Sequence, residues 1–383
     1  MMLRVHTQTS QGWAWLRRYW GQRPLLACVL GFTETGLLPG ISAAGATPAA
    51  RCTTAIADAE FLYRGPSAHP QYPLPPLTAG ISPTFITRSV LVAQQIPLQL
   101  FNAGLPIPPP VPCVDLRGQP AQGVETGQAM DPAQVRSLFQ QGLYWGQRLA
   151  RQAVHQYVVL GECVVGGTTT ALALLLGLGI PAAGKVNSSH PTCNHDQKLR
   201  VARAGLAQWQ DQKHKAASAA LDPLDVVAAI GDPMQVVVAG MVLTASRQGG
   251  VLLAGGTQML AVYALARAIA AYHHILWYPE QVVVGTTRWV VEDATGDTVG
   301  LAQLIEEVPL ISHPLSFANS RYPALQRYEQ GYVKEGVAAG GMAIAATLYQ
   351  NWGQAQLLHR IEALVARHQT FSPPPLCSPV PTT

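Results

Sequence analysis

GECVVGGTTTALALLLG, residues 161–177, decides the fold. An apolar run leads in, paired glycines turn the chain, and an apolar helical stretch leads out. Strand, glycine turn and helix in that order open a βαβ unit. The run just before it, Tyr157–Gly161, lacks polar alternation and predicts a strand covered on both faces. Similar runs recur at Leu25–Leu30, Pro97–Asn102, Val251–Ala254, Val282–Thr286 and Pro309–Phe317. Helical patterns lie among them, over Pro132–Ala153, Thr169–Leu178, Gln197–Ala220, Met234–Arg247, Gln258–Tyr272, Thr298–Glu306, Met342–Trp352 and Gln354–His368. The alternation predicts a three-layer α/β/α fold with a mainly parallel, Rossmann-like sheet. A smaller accessory subdomain is expected from the terminal helices. One α/β domain is expected over 21–370, after an N-terminal extension (1–20). The Pro-rich end FSPPPLCSPVPTT (371–383) is expected to be disordered, because it cannot bury enough apolar surface to offset chain entropy.

Composition excludes several function classes. Of 383 residues, 48% are hydrophobic and 12% charged, against a usual charged share near ~25%. Such a chain builds a core. The net charge of +4, from 25 Lys+Arg and 21 Asp+Glu, is too mild to imply nucleic-acid binding. Six scattered cysteines, with no CxxC, predict reduced thiols and a cytoplasmic protein. Gly249–Ala266 is uncharged over 18 residues, but four glycines, Thr257 and Gln258 interrupt it. It predicts strand, turn and helix, not a membrane span. Glu162 and Pro181 break Val158–Gly184 in the same way, and Asp232-Pro233 breaks Val226–Ser246. The Arg-rich N-terminus lacks the early apolar stretch of a signal peptide, and PLLACVLG (24–31) reads as the first buried strand.

The glycine turn has a chemical reading. Glycines let backbone N–H groups approach a ligand, and the helix N-terminus beyond them offers orphan donors and partial positive charge. Thr168, Thr169 and Thr170 add hydroxyls, which together suit a phosphate. A tight turn with Thr caps uses the same parts. Glycine pairs recur at Gly255-Gly256 and Gly340-Gly341. Three such turns at strand ends would converge on one crevice, which favours the ligand reading. GIPAAGKV (179–186) is not a Walker A loop, since Val186 replaces the metal-binding hydroxyl. GLGIPA (177–182) follows a helix, not a strand, and fails as a dinucleotide motif.

His190, Cys193 and His195 cluster in NSSHPTCNH (187–195), but the spacing is not that of a zinc site. A polar loop bonding substrate or its own backbone is expected, and no metal. Two acids stand out in apolar, glycine-rich settings. Glu162 follows a buried strand, and Glu335 precedes a helix in GYVKEGVAAGG (331–341). Burial of such a carboxylate raises its pKa and suits it to general-base work. Alone, the residues favour a plainer reading: Glu162 bonding loop amides, and Glu335 solvated beside Lys334.

GECVVGGTTTALA resembles the GE-x-G-x-G-N-TT-x-A loop of the CobT family, the nicotinate-nucleotide:dimethylbenzimidazole phosphoribosyltransferases. VKEGVAAGGMAIA resembles that family's R-x-GEG-T-GA segment, and LSFANSRYPALQRYEQG (315–331) its H-x-S-x-E-x-GH stretch. Nearly the whole chain is similar to the divergent CobT-like proteins of archaea and cyanobacteria, through GFTETGLLPGISAAGATP, TAIADAEFL, LFNAGLPIPPPVP, GKVNSSHPTCNH, DPMQVVVAGM, AGGTQMLAVYALARA and VVGTTRWVVED.

The resemblance implies that a free base displaces nicotinate from nicotinate mononucleotide with inversion, giving an α-ribotide for the lower loop of a cobamide. It implies Glu335 as the catalytic base and Glu162 as a second active-site acid. Gly166, Gly167, Thr168 and Thr169 would bind the substrate phosphate, with Ser316, Ser320, Gly340 and Gly341 nearby. No metal or cofactor, and a homodimer, are implied. A catalytically inactive protein that still binds the nucleotide is the alternative, and a kinase on the same fold is a third reading. Gly167 stands where the family has Asn, Val337-Ala338 where Thr-Gly is expected, and SRYP (320–323) lacks the acid of S-x-E-x-G. The accepted base, whether dimethylbenzimidazole, another benzimidazole or adenine, is the least transferable part.

Overall fold

The computed structural model describes residues 3–45, 47–75, 80–153, 156–213 and 221–371. Eight strands form one sheet: β1 (Arg4–Val5), β2 (Leu25–Gly31), β3 (Leu98–Gly104), β4 (Val114–Asp115), β5 (Tyr157–Cys163), β6 (Gly250–Ala254), β7 (Val282–Thr287) and β8 (Leu310–His313). Their order is β1-β8-β7-β6-β5-β2-β3-β4, and every pairing is parallel except β1 with β8. From β2 the chain builds outward to β3 and β4, then returns to the other side of β2 as β5. That reversal places a topological switch point between the carboxyl ends of β2 and β5, where open α/β sheets form their ligand crevice.

The continuous apolar runs have a simple cause. Leu25, Ala27 and Val29 face one core while Leu26, Cys28 and Leu30 face another, on the opposite side of the sheet. β5 divides likewise, with Val158 and Leu160 on the first side and Tyr157 and Val159 on the second. Helices Pro132–Gln152, Gly167–Gly177, Pro223–Ile230, Pro233–Ala245 and Thr257–Tyr272 supply the first layer. Helices Thr9–Arg18, Pro48–Arg64, Thr84–Ala93, Ala339–Gln350 and Gln354–Phe371 supply the second. Buried on both faces, a strand needs no polar alternation.

The N-terminal segment is drawn into the fold. Arg4 and Val5 pair with Ser312 and Ile311 on β8. Trp15 is 2% exposed, meets the Tyr157 ring edge-on at 5.2 Å, and donates its indole N–H to the Gln281 carbonyl at 2.7 Å. Trp15→Ala should therefore cost ~3–5 kcal/mol, the usual range for a large buried aromatic. Chemical denaturation would check this, and a loss under ~1 kcal/mol would show the segment to be dispensable.

Elements differ from expectation mainly where sequence signals are weak. The helix expected over Gln197–Ala220 is seen as His195–Lys213, and 214–220 lie outside the described residues. So does the tail from residue 372. Among the described residues no helix is long and apolar enough to cross a membrane.

Candidate active site

β5 delivers the first acid. All seven of its residues are buried, and Glu162 lies next to its last residue. Glu162 Oε2 accepts the Val164 N–H at 3.1 Å, and the Gln258 side-chain amide donates to the same carboxyl. Burial, then the charges of Asp232 and Glu335, push Glu162 up to about 8 against these two bonds. At pH 7 it is mostly a neutral acid. Gly166, at φ 87°, then turns the chain into helix Gly167–Gly177. A Cβ there would lie 2.8 Å from the Gly36 nitrogen, so only glycine fits.

Glu335 lies just before helix Ala339–Gln350. Its Oε1 accepts the Gly336 N–H at 3.1 Å and the Gly340 N–H at 3.0 Å. Its Oε2 accepts the Thr286 hydroxyl at 2.8 Å and the Thr287 N–H at 2.9 Å. Four donors favour the ionised form, yet burial outweighs them and raises the pKa. A carboxylate so held has one geometry and an affinity for protons above that of a solvated glutamate.

Backbone strain accompanies this cradle. Val333, Lys334, Val337 and Ala338 all adopt left-handed backbone, at φ 63°, 67°, 49° and 65°. Each such residue costs roughly 1 kcal/mol or more, so tertiary contacts must hold them. Val337 N–H bonds the Glu162 carbonyl at 3.0 Å, and Val333 N–H the Ser189 carbonyl at 3.1 Å. Thr87 and Thr287 hydroxyls bond the carbonyls of Val337 and Lys334 at 2.5 and 2.6 Å. The segment sends neighbouring side chains to different partners. Lys334 is buried and donates to Asp293 Oδ2 at 2.5 Å and to the His190 carbonyl at 3.0 Å. The solvated Glu335–Lys334 pair is thereby corrected: each side chain is enclosed with partners of its own.

Glu162, Glu335 and the turn Gly166–Thr168 border one cavity of about 250 Å³ at the carboxyl ends of the strands. Asp58, Asn187, Gln258 and Lys334 also line it. Asp58 accepts the Ser82 hydroxyl at 2.5 Å and the Cys163 thiol at 3.5 Å, and burial pushes it up to about 6. Lys198, Arg51 and Lys334 all lie near His190, and of the three Lys334 lines the cavity. Lys198 is fully buried behind Asn187, donates to the Asn187 carbonyl, and is pushed down to about 7 by burial. Arg51 donates to the carbonyls of Gly36 and Leu38, each at 3.0 Å. Burial opposes ionisation of Asp293, but bonds from Lys334, Asn187 and Thr295 hold it at about 2.

The remaining candidates are dispersed. Thr169 is fully buried in the first helical turn, and its hydroxyl has no partner among the described residues. Gly340 and Gly341 lie inside a helix, not in a strand-end turn. Gly340 supplies an amide to Glu335, and a Cβ on Gly341 would sit 2.3 Å from that of Ala254. Ser316 and Ser320 do not line the cavity. Ser316 bonds Glu329 at 3.1 Å and Ser320 bonds Glu362 at 2.7 Å, acids that pull both hydroxyls away. In the 187–195 loop, His190 and His195 bond the carbonyls of Gly40 and Thr295, at 3.0 and 2.5 Å, while Cys193 meets Asp293 at 3.5 Å. No group of three or more His, Cys, Asp or Glu among the described residues is placed to hold a metal. Asp58, Asn187, Lys334 and Gln258 were not singled out from sequence as site residues, although each sits within or beside a string that carried the resemblance.

A UPF0284 protein of Cyanothece sp. is 61% identical over 371 residues, 97% of this chain and 99% of that protein. The chain belongs to the UPF0284 family. A UPF0284 protein of Trichodesmium erythraeum is 60% identical, covering 95% of this chain and 98% of its own. A family model described as phosphoribosyltransferase matches residues 90–280, which include Glu162, the glycine turn and Gln258. Nicotinate-nucleotide-dimethylbenzimidazole phosphoribosyltransferase from Thermus thermophilus shares the fold at a TM-score of 0.53 and 18% identity, over 90% of this chain and 84% of that one. A CobT structure from Thermus thermophilus gives 0.54, also at 18% identity, over 86% and 84%. By fold this UPF0284 chain is similar to the CobT structures, and the phosphoribosyltransferase model matches just under half of it.

Proposed function

We propose that the protein moves the ribose-5-phosphate of nicotinate mononucleotide onto a free base, dimethylbenzimidazole or a related heterocycle, with inversion at the anomeric carbon. The product is an α-ribotide for the lower loop of a cobamide. The observation that carries this reading is the shared border of Glu335, Glu162 and the Gly166–Thr168 turn on one cavity. The amides at the helix N-terminus suit the phosphate, and Lys334 lines the same cavity.

The base nitrogen attacks C1′ from the face opposite the pyridine. The C1′–N bond to the pyridine breaks, and its electron pair returns to the ring nitrogen. That nitrogen leaves neutral and needs no general acid. C1′ gains cationic character on the way, which a nearby carboxylate stabilises. The other ring N–H of the attacking base becomes acidic, and Glu335 takes its proton. On the same reading the enzyme is a cytoplasmic homodimer.

Purified protein incubated with nicotinate mononucleotide and a panel of bases should release nicotinate only when a base is present, with α-ribotide formed in equal amount. Chromatography with an anomer-specific NMR readout would follow it. Nucleotide binding without base-dependent release would establish the inactive alternative instead. A requirement for magnesium and a nucleoside triphosphate would favour the kinase reading.

A further inference from the structure

Gln258 is the second residue of helix Thr257–Tyr272, which starts where β6 reaches the cavity. The side chain is 9% exposed, and its amide N–H side is held by Glu162. Its Oε1 has no partner among the described residues. A buried acceptor left unpaired is costly, so a group of this kind on a cavity wall calls for a donor from a ligand. The amide also lies directly against Gly167, where a Cβ would come 2.0 Å from Oε1. Gly167 is the position at which the CobT loop motif has Asn. Here the loop gives up its carboxamide, and a carboxamide from the next strand's helix fills the space.

We propose that Gln258 is a specificity residue that accepts a hydrogen bond from a ribose hydroxyl of the bound nucleotide and so selects ribosyl over deoxyribosyl substrate. The chemistry narrows the donor. This inference rests on the proposed nucleotide, whose phosphate and carboxylate oxygens accept and whose pyridinium nitrogen carries no hydrogen. Its donors are the 2′- and 3′-hydroxyls. The free base carries an N–H as well, but that proton goes to Glu335. The bond from Gln258 to Glu162 leaves Oε1 as the unpaired end of the amide, packed beside Gly167 on the cavity lining.

Equilibrium binding to the full chain tests this, with nicotinate mononucleotide and its 2′-deoxy and 3′-deoxy analogues titrated calorimetrically. The wild type should bind the ribonucleotide about 10–100-fold more tightly than one of the two analogues, the usual range for one hydrogen bond with a penalty for its loss. Gln258→Leu, close in volume, should lose that preference by weakening ribonucleotide binding alone. Gly167→Asn combined with Gln258→Ala should restore at least part of it, because the amide returns from the loop side. A purely structural role would not produce that rescue. A preference that survives Gln258→Leu in folded protein, or that is absent from the wild type, overturns the proposal. Wild-type protein that binds no nucleotide at all overturns the proposed function, and this inference falls with it.

Discussion

Glu335→Gln should lower turnover by roughly 10²–10⁴-fold, the contribution of a positioned general base. Nucleotide affinity should stay within about tenfold of wild type, because by this reading the carboxylate meets the attacking base and not the phosphate. The cradle explains why this residue and not another carries the loss. Both oxygens accept two donors, from Gly336 and Gly340 on one side and Thr286 and Thr287 on the other. An amide can satisfy only one side. Turned toward Thr286, its NH₂ group can donate to a rotated hydroxyl, leaving the Thr287 N–H opposed. The variant should therefore lose about 1–3 kcal/mol of stability, far too little to unfold a protein of ordinary stability. Steady-state kinetics beside a binding titration separates the two effects. The pH profile is a second check. Burial raises the Glu335 pKa, so wild-type kcat/KM should fall on the acid side at a pH above the usual glutamate range. The residual activity of the variant should lack that limb. Turnover within about fivefold of wild type would remove Glu335 from the base role.

The architecture was legible because burial on both faces writes itself into composition. Runs such as Leu25–Gly31 and Gly250–Ala254 contain nothing but apolar and small residues. The glycine turn at 166 was legible for a similar reason, since its backbone sign and close approach to Gly36 admit no side chain. Contacts across long sequence separations were not. The donors that cradle Glu335 include Thr286 and Thr287, nearly fifty residues earlier, and nothing local marks them. Asp58 sits in helix Pro48–Arg64 among alanines and threonines, where an acid looks like an ordinary solvated position, yet it is 4% exposed. Adjacency misled as well. Lys334 and Glu335 look like a surface pair until left-handed backbone parts them. Ser316 and Ser320 matched a motif by letter, but Glu329 and Glu362 claim their hydroxyls. The N-terminal helix lacks a side-chain cap and any acid in its first turn, so its start carries no signal, although Trp15 anchors it. Gln258 lay inside a quoted string and was passed over, because an orphaned oxygen exists only once its surroundings are known.

Glu162→Gln should make the free protein more stable at alkaline pH and slower as an enzyme. Burial moves the Glu162 pKa from the ordinary 4.5 to about 8, with Asp232 and Glu335 adding to the shift. Between those values the native state holds a proton that the unfolded chain has released. Stability from this group is therefore fully present below pH 4.5 and is lost as pH rises through about 8. Asp58 and Asp232, each raised to about 6 by burial, act with the same sign over a lower window. At ~1.4 kcal/mol per pKa unit, ionising Glu162 in place costs on the order of 5 kcal/mol at pH 9. The amide cannot ionise, so the variant should unfold about 5 °C above wild type at pH 9, with the gap closing toward pH 5. Activity should move the other way. On the proposed function, the cationic pyridinium of the nucleotide would favour release of the Glu162 proton, and the carboxylate would then face the developing charge at C1′. The amide has no such charge to offer, so turnover at pH 7 should drop about tenfold or more. Thermal unfolding from pH 5 to 9, with kinetics at pH 7, reads both effects. A pH profile of unfolding unchanged by the substitution would mean that Glu162 is already ionised at neutrality. The neutral state assigned to Glu162 in the free enzyme would then be wrong.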